Sequence, residues 1–291
     1  LPSIDAHINK QHQFSFLVID APETPRQALS RLSFVQGIFR GEQALTIVDA
    51  DPHFTGPEDL VFGAKYPGKT NELVTQMAIN LAVAAAKFSG VERPRLLDPM
   101  AGRGTTLLWA HRYGFDAFGV EPQVKDREAF ERHVKKQTKL HRLKHRRHAG
   151  AIGRTNRQQV GHFVEFEMND SVMRLVTGDS QELAYLIQKR RFHYIVADLP
   201  YGIQHTTPQG TRNPAALLAE VIPGWAQQLA PGGSMVLSFN TYQPKRREII
   251  EIIEASGLHV LDFSARHRMS ESIVRDFVVA VAKDTAPNRD S

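Results

Sequence analysis

Residues 198–202, Asp-Leu-Pro-Tyr-Gly, combine groups that could bind a planar amine. They follow the apolar stretch 192–197, which predicts a buried strand that ends at Asp198. The Asp198 carboxylate and a backbone carbonyl can accept the two N–H bonds of a base amine, which localises a lone pair otherwise delocalised into the ring. Tyr201 offers a face for base stacking, and Pro200 restricts the turn. We therefore predict that Asp198, Pro200 and Tyr201 are catalytic; the alternative is an ordinary proline-containing turn.

A turn with two glycines follows an earlier predicted strand, at residues 98–106. Gly102 and Gly104 permit a tight passage from strand to helix and let a ligand approach the backbone closely. Position 107 is leucine where a dinucleotide fingerprint has its third glycine, and no lysine follows the glycines as in a phosphate-binding loop. The turn therefore disfavours NAD, FAD, ATP and GTP.

Acidic residues end three successive predicted strands: Asp98, Glu121 and Asp179. Glu121 stands where an acidic residue would accept hydrogen bonds from ribose hydroxyls, and Asp179 could accept from an adenine amino group. Each alone could be a helix cap or a turn residue, but together with the glycine turn they favour a cofactor site. The predicted cofactor-binding residues are Thr70, Asp98, Met100, Ala101, Gly102, Gly104, Thr105, Thr106, Glu121, Asp179 and Ser180.

Predicted strands and helices alternate along the part of the chain that carries these turns. The predicted strands are 95–98, 116–121, 172–177, 192–198, 234–239, 259–264 and 276–282; the predicted helices are 71–87, 105–113, 124–147, 180–190, 215–229 and 245–256. This alternation predicts an α/β fold with a doubly wound, mainly parallel sheet, and the last two strands predict an antiparallel edge. Thr70 or Asn71 would cap the first helix. Because ligands bind beyond the carboxyl ends of such strands, both turns are expected to lie at one edge.

The domain prediction places a small N-terminal α/β unit at residues 1–65 and the main domain at residues 66–285. Within the small unit we predict strands at 14–19, 37–39 and 44–48 and a helix at 25–32. The glycine and proline residues between positions 56 and 68 would form the linker.

The motif Asp-Pro-x-x-Gly-x-Gly-Thr that begins at Asp98, followed by residues 198–202, resembles the class I S-adenosylmethionine-dependent methyltransferases. Within that class the chain is most similar to the tRNA guanine-N2 methyltransferases that usually carry an RNA-binding THUMP domain. The resemblance covers about residues 66–283 and implies a Rossmann-like core, S-adenosylmethionine as the cofactor, and the target amine at residues 198–201. Residues 66–71 resemble the motif before the core of amino-methyltransferases, whose following helix lies beside the methionine end of the cofactor.

Two features depart from that family. Leu199 stands where many members have a proline, although some THUMP-associated members also have another residue there. Residues 1–65 are too short for a complete THUMP domain with its usual N-terminal companion. A DNA adenine or cytosine amino-methyltransferase could use the same two motifs, but no separate domain for reading DNA is evident. A non-catalytic nucleic-acid-binding protein on a degenerate fold is disfavoured because both motifs are intact.

Positive charge is concentrated in one stretch. The chain has a net charge of +5, and residues 132–164 contain ten Lys or Arg but no Asp or Glu. The predicted helix 124–147 would place many of these cations on one side, a face that suits phosphates; the alternative is a solvated loop. We predict that the insertion 124–164 contacts nucleic acid, specifically tRNA, through Arg132, Lys135, Lys136, Lys139, Arg142, Arg146 and Arg147.

Composition excludes several other classes. Without cysteine the chain has no disulfide, zinc-thiolate site or cysteine nucleophile. His141 and His145 are four residues apart, but the surroundings are cationic and the sequence has no carboxylate nearby, so no metal site is predicted. No apolar run approaches the roughly 18 residues of a membrane helix, so no membrane partner is expected and a cytoplasmic location fits.

Overall fold

A computed structural model of the chain describes residues 5–11, 14–20, 26–35, 37–41, 46–48, 51–66, 69–88, 90–153, 159–188, 190–199, 214–270 and 273–283. The chain forms two compact units, Leu1–His53 and Phe54–Ser291. The division falls before the boundary predicted at residue 65, because the residues after His53 pack against a helix of the second unit. The N–H of Thr55 donates to the carbonyl of Arg112 at 2.7 Å, and the Phe54 ring lies 5.5 Å from that of Trp109.

The first unit contains two separate antiparallel hairpins and a short helix. Its elements are β1 (Asp5–Gln11), β2 (Phe14–Asp20), α1 (Arg26–Ser30), β3 (Ile38–Arg40) and β4 (Thr46–Val48). β1 pairs with β2 and β3 pairs with β4. The predicted strand at 14–19 and the helix at 25–32 are therefore confirmed, while the polar strand β1 was not predicted. None of the described residues in this unit is buried, and Ile8 and Ile47 are exposed.

In the described part of the second unit, ten strands form one sheet. They are β5 (Arg95–Asp98), β6 (Asp116–Glu121), β7 (Arg146–Gly153), β8 (Gln159–Met168), β9 (Ser171–Thr177), β10 (Phe192–Asp198), β11 (Leu229–Asn240), β12 (His259–Val260), β13 (His267–Ser270) and β14 (Ile273–Val281). The order is β12-β14-β11-β10-β5-β6-β9-β8-β7, and β13 also pairs with β14. The central strands β11, β10, β5, β6 and β9 are parallel, whereas β14 is antiparallel to β11.

Helices cover both faces of this sheet. They are α2 (Asp59–Phe62), α3 (Glu72–Ala85), α4 (Thr105–Arg112), α5 (Val124–Leu140), α6 (Leu183–Leu186), α7 (Pro214–Ala226) and α8 (Arg246–Ala255). Side chains alternate between the faces of a strand, so Leu96 packs with Trp109 in one core while Leu97 packs with Trp225 in the other. α2 to α5 contribute to the first core and α6 to α8 to the second. The predicted Rossmann-like, doubly wound α/β fold with an antiparallel edge is confirmed.

The predicted helix 124–147 is wrong in its last seven residues, 141–147. α5 ends at Leu140, and the chain then forms the antiparallel hairpin β7–β8, which extends the sheet beyond β9. Val164, Phe166 and Met168 are buried at a spacing of two, as a strand on a half-buried face requires. β7 has one buried hydrophobic side chain, Ile152, so its own pattern carries little strand signal and its conformation depends on pairing with β8.

Other elements differ from the prediction mainly in length. The predicted helix 180–190 is a 3₁₀ turn at Ser180–Glu182 followed by the short α6. β11 begins at Leu229, before the predicted start at 234, and β12 ends at Val260, before the predicted end at 264. β13 was not predicted. No helix among the described residues is both long enough and apolar enough to cross a membrane.

Candidate active site

Strand register brings the predicted acidic residues to one edge of the sheet. Asp98 ends β5 opposite Gly119 of β6, and Glu121 ends β6 opposite Thr177 of β9. Asp198 ends β10, the neighbour of β5 on its other side. Because all these strands are parallel, their carboxyl ends meet at the same edge, where such sheets bind ligands.

Glycine stands at the two positions of the turn after β5 for different structural reasons. Both have left-handed backbone conformations, with φ of 51° at Gly102 and 81° at Gly104. A Cβ atom on Gly104 would lie 2.6 Å from Cδ2 of Phe130, so this position has no room for a side chain. A Cβ atom on Gly102 would meet no atom within 4 Å. Gly104 is therefore required by packing, whereas Gly102 faces open space at the turn.

Glu121 ties the ends of β5 and β6 together. Its Oε2 accepts the backbone N–H of Gly102 at 3.0 Å, and its Oε1 accepts that of Gln123 at 2.8 Å. The residue is only 7% exposed. These hydrogen bonds hold the carboxylate beside the glycine turn in one orientation.

Asp98 is a buried carboxyl group, 2% exposed, at the start of the same turn. Burial is the main cause that raises its pKa from 3.8 to about 7. The nearby charges of Asp198 and Glu121 add to the rise, while hydrogen bonds from Thr106 and the backbone of Met100 oppose it. The Met100 N–H donates to Oδ1 of Asp98 at 3.0 Å. Asp98 therefore changes charge near neutral pH.

Asp179 follows β9 and is exposed. Its Oδ1 accepts the N–H of Gln181 at 2.9 Å, so it caps the 3₁₀ turn that begins at Ser180. The N–H of Gly178 donates to the carbonyl of Glu121 at 3.2 Å, which keeps this strand end beside the end of β6. The proposed cofactor contact of Asp179 and Ser180 stays a prediction.

The Asp198 carboxylate contacts side chains from three separate parts of the chain. Its Oδ2 accepts a hydrogen bond from the Thr70 hydroxyl and lies 3.0 Å from Nη2 of Arg275. Its Oδ1 accepts from the Ser238 hydroxyl at 2.6 Å. The side chain of Asp198 is 26% exposed, whereas that of Arg275 is fully buried. The carboxylate is therefore oriented at both oxygens and paired with a buried cation.

Asp198 and Thr106, which follows the glycine turn, line one small cavity of about 10 Å³. The cavity lies between α3, the start of α4, and the ends of β10 and β11, and its lining includes Thr70, Thr106, Asp198 and Ser238. Thr106 is in the first turn of α4, directly after the glycines. Pro200 and Tyr201, also predicted to be catalytic, lie outside the described residues.

The segment before α3 is held so that Thr70 can reach Asp198. Nζ of Lys69 donates to the carbonyls of Val61 and Ala64 at 2.8 and 2.7 Å. The side chain of Asn71, rather than that of Thr70, caps α3. The Thr70 hydroxyl therefore donates to Asp198 and does not cap α3.

Sequence reasoning did not identify Ser238 and Arg275 as site residues. Arg275 and Asp276 form a charged pair within β14, which is otherwise apolar, and a charge in such a strand needs a partner. That signal was available in the sequence. Nothing local, however, indicated that the partner of Arg275 would be Asp198.

We use the term basic surface for the seven cations predicted to contact nucleic acid, on α5, the following turn and β7. Carboxylates from just outside the basic stretch neutralise four of them: Lys135 and Arg147 lie 2.6 and 2.7 Å from Glu131, Arg146 lies 2.5 Å from Glu167, and Arg132 lies 3.8 Å from Glu128.

The other three cations, Lys136, Lys139 and Arg142, are exposed and form no ion pair with another described residue. Arg142 lies beyond the end of α5 with φ of 52°, so it does not continue the helix face as predicted.

The fold places a carboxylate near His141, which the sequence did not indicate. Nε2 of His141 lies 3.2 Å from Oδ2 of Asp59 at the start of α2. Within the described ranges, no group of three or more His, Asp or Glu side chains could hold a metal ion.

No family model matches the chain, and no curated protein matches it. Solved structures with a similar course of the chain include magnesium protoporphyrin IX methyltransferase (ChlM) from Synechocystis PCC 6803 with bound SAM, at 12% identity over 73% of this chain and 79% of that one, with a TM-score of 0.48. A methyltransferase from Pyrococcus furiosus shares 14% identity over 77% of this chain and 92% of its own, with a TM-score of 0.49. TrmN from Thermus thermophilus shares 14% identity over 96% of this chain and 60% of its own, with a TM-score of 0.45. Identities this low assign no substrate or site residue.

Proposed function

We propose that the protein is an S-adenosylmethionine-dependent methyltransferase that acts on an exocyclic base amine in RNA, with N2 of guanine in tRNA as the acceptor. The observation that carries the proposal is the cavity shared by Thr106, next to the glycine turn, and Asp198, at the end of β10. Transfer between two bound molecules requires their reacting groups to be held side by side. The glycine turn, which we propose binds the cofactor, and Asp198, which we propose accepts an N–H of the amine, both lie at the carboxyl edge of this sheet.

The residues of the turn fit a nucleoside cofactor. Open space at Gly102 allows a ligand to approach the backbone, and the Glu121 carboxylate beside it is an acceptor suited to ribose hydroxyls. Asp179, two residues past the end of β9, would accept from the adenine amino group. Asp98 would place negative charge near a cationic ligand. When bound, S-adenosylmethionine supplies a methyl group on a positively charged sulfur.

Asp198 provides the chemistry that the chain itself contributes. It accepts an N–H of the target amine, which localises the nitrogen lone pair, while hydrogen bonds from Thr70 and Ser238 keep the carboxylate from rotating away. A base reaches such a recessed site only when it is unpaired or flipped out of a helix. The backbone carbonyl and aromatic face of the 198–201 turn would complete the site.

RNA is the proposed polymer because of the basic surface together with the resemblance of the two motifs. Lys136, Lys139 and Arg142 are exposed cations within the described structure that remain available to phosphates. Phosphate contacts of this kind hold a polymer in place without reading its sequence. We propose that they hold tRNA while the 198–201 turn selects the base.

One assay tests both the reaction and the acceptor. The chain is incubated with methyl-labelled S-adenosylmethionine and separately with tRNA, ribosomal RNA and duplex DNA, followed by nucleoside analysis. We expect label in N2-methylguanosine from tRNA. Label in adenine or cytosine of DNA would favour the DNA amino-methyltransferase instead. Absence of label from every acceptor, with the cofactor bound, would overturn the proposal.

Matched variants then assign the two halves of the site. Asp198→Asn should lower the transfer rate on the order of 10²- to 10³-fold while cofactor affinity stays within about threefold, because one preorganised polar group is lost. Glu121→Gln should weaken cofactor binding instead. Asp262→Asn, at an exposed aspartate, serves as the control and should change neither quantity.

A further inference from the structure

Arg275 is a charged side chain in the interior of an apolar strand. It stands next to Asp276 in β14, and the alternation of side chains sends the two residues to opposite faces of the sheet. Asp276 is bound on its own face by Arg246 at 3.1 Å and by the Ser264 hydroxyl at 2.9 Å. Arg275 instead reaches Oδ2 of Asp198 at 3.0 Å and is fully buried.

Fold stability does not explain why a guanidinium stands at this position. Desolvating an ion pair costs free energy, and well-packed apolar residues of similar volume often give equal or greater stability. Burial lowers the pKa of Arg275, and the charge of Asp198 opposes that shift. The partner of this buried charge is the carboxylate proposed to bind the target amine, so the charge has a use in the site.

The contacts among the described residues also determine which atom of Asp198 remains available. A carboxylate has about four lone-pair sites. Oδ2 faces two donors, Thr70 and Arg275, whereas Oδ1 faces one, Ser238. The remaining acceptor site is therefore on Oδ1, which can take one N–H from a ligand.

We propose that Arg275 is the positioning residue for methyl transfer: it anchors Oδ2 of Asp198 and so directs Oδ1 toward an N–H of the acceptor amine. This inference rests on the proposed function. It also defines the acceptor class, because an oriented carboxylate suits a neutral N–H donor and repels a carboxylate or phenolate acceptor.

Electrostatics explains why Asp198 needs a counter-ion. The groups that face it are Thr70 before α3, Ser238 on β11, Arg275 on β14 and, at longer range, the Asp98 carboxyl at the end of β5. Without Arg275, Oδ2 of Asp198 would lose its buried charged partner, and the carboxylate would no longer be fixed with Oδ1 toward the acceptor amine.

The test compares Arg275→Gln and Arg275→Lys with Arg246→Gln as the matched control. We expect Arg275→Gln to lower kcat on the order of 10²-fold at pH 7, with cofactor affinity within about threefold. Arg275→Lys should recover part of the rate, because a cation again reaches Asp198. Arg246→Gln, which breaks the Asp276 pair, should lower stability without changing kcat.

Wild-type kcat in Arg275→Gln, with Asp198→Asn impaired, would overturn the positioning role. A wild-type protein inactive on every acceptor would instead overturn the proposed function, so the two failures are distinguishable. If the Arg275→Gln variant does not fold, a third measurement still tests the ion pair. Chemical unfolding of Arg275→Lys, Asp198→Asn and the double variant should show non-additive effects; strict additivity would contradict the ion pair.

Discussion

The charged groups around the shared cavity are buried and held in fixed orientations, whereas those of the basic surface are exposed to solvent. Around the cavity, Asp98, Asp198 and Arg275 are mostly or fully buried, and hydrogen bonds or an ion pair orient each carboxylate. On the basic surface, the cations are exposed. The paired ones contact carboxylates one helical turn away, on the adjacent strand or, for Arg147, on α5. Removing one partner of a buried pair leaves an uncompensated charge, whereas an exposed pair contributes little.

Because of this difference, we expect substitutions in the two regions to have different effects. The cavity depends on the identity and geometry of individual residues, so single substitutions should have large effects that salt does not alter. The basic surface depends on the number of available charges, so its effects should be small for each residue and should fall as salt rises.

The largest expected effect comes from substituting the two glycines of the turn. Gly104 is needed for packing, and we expect Gly102 to be needed for access of the cofactor. Gly104→Ala should destabilise the second unit by about 2–4 kcal/mol, because the new methyl group collides with Phe130 at a left-handed position. Gly102→Ala should cost only about 1 kcal/mol but should weaken cofactor binding more than about tenfold, since its methyl group occupies the open space. Chemical unfolding and cofactor titration measure both quantities. Equal destabilisation by the two changes would contradict this assignment.

Because His111 is buried, we expect the free energy of unfolding to change with pH by a similar amount. Burial, with the charge of Arg112, lowers its pKa from 6.5 to about 4. The unfolded state therefore binds a proton more readily between these values, so the stability contribution is complete above pH 6.5 and is lost as the pH falls toward 4. The loss should reach about 3 kcal/mol. Unfolding curves from pH 7 to 4 measure it, and an equally steep dependence in His111→Gln would refute the assignment.

A smaller effect is expected for Asp98 and the charge of the cofactor. Its pKa of about 7 means that Asp98 is largely neutral at pH 6 and ionised at pH 8. Affinity for cationic S-adenosylmethionine should therefore rise by up to about tenfold over that range, and less for S-adenosylhomocysteine, which lacks the sulfonium charge. Calorimetry with both ligands measures the difference. Asp98→Asn should remove it; the same rise in that variant would exclude Asp98 as the cause.

The smallest effect for each residue is expected on the basic surface. Replacing Lys136, Lys139 and Arg142 together by Gln should reduce the slope of log affinity for RNA against log salt by about 2, with kcat at saturating RNA unchanged. The triple variant Lys135→Gln, Arg146→Gln, Arg147→Gln is the matched control, because those cations already contact carboxylates. RNA titrations at several salt concentrations compare the two. Equal loss in both variants would show that the ion pairs open on binding.

Local patterns were sufficient for the elements that carry the site. The apolar runs that end in Asp98, Glu121 and Asp198 predicted β5, β6 and β10 with their observed ends, because a buried strand followed by a polar turn is a local signal. The hairpin β7–β8 was missed because β7 is mostly polar and depends on β8 for its conformation. The basic residues are exposed, but their partners Glu128, Glu131 and Glu167 lie just outside residues 132–164, so the charge pattern of that stretch did not indicate the ion pairs.

The order of residues along the chain was enough to place a glycine turn and four acidic residues at strand ends, since strand and turn preferences act over a few neighbouring positions. Folding was needed to show what surrounds Asp198. Thr70 is 128 positions away and Ser238 is 40 positions away, and Arg275 arrives on an antiparallel strand. Such contacts depend on strand register and on the packing of the two cores, which no local spacing encodes. For that reason the position of Asp198 at a strand end could be predicted from sequence, and its buried counter-ion could not.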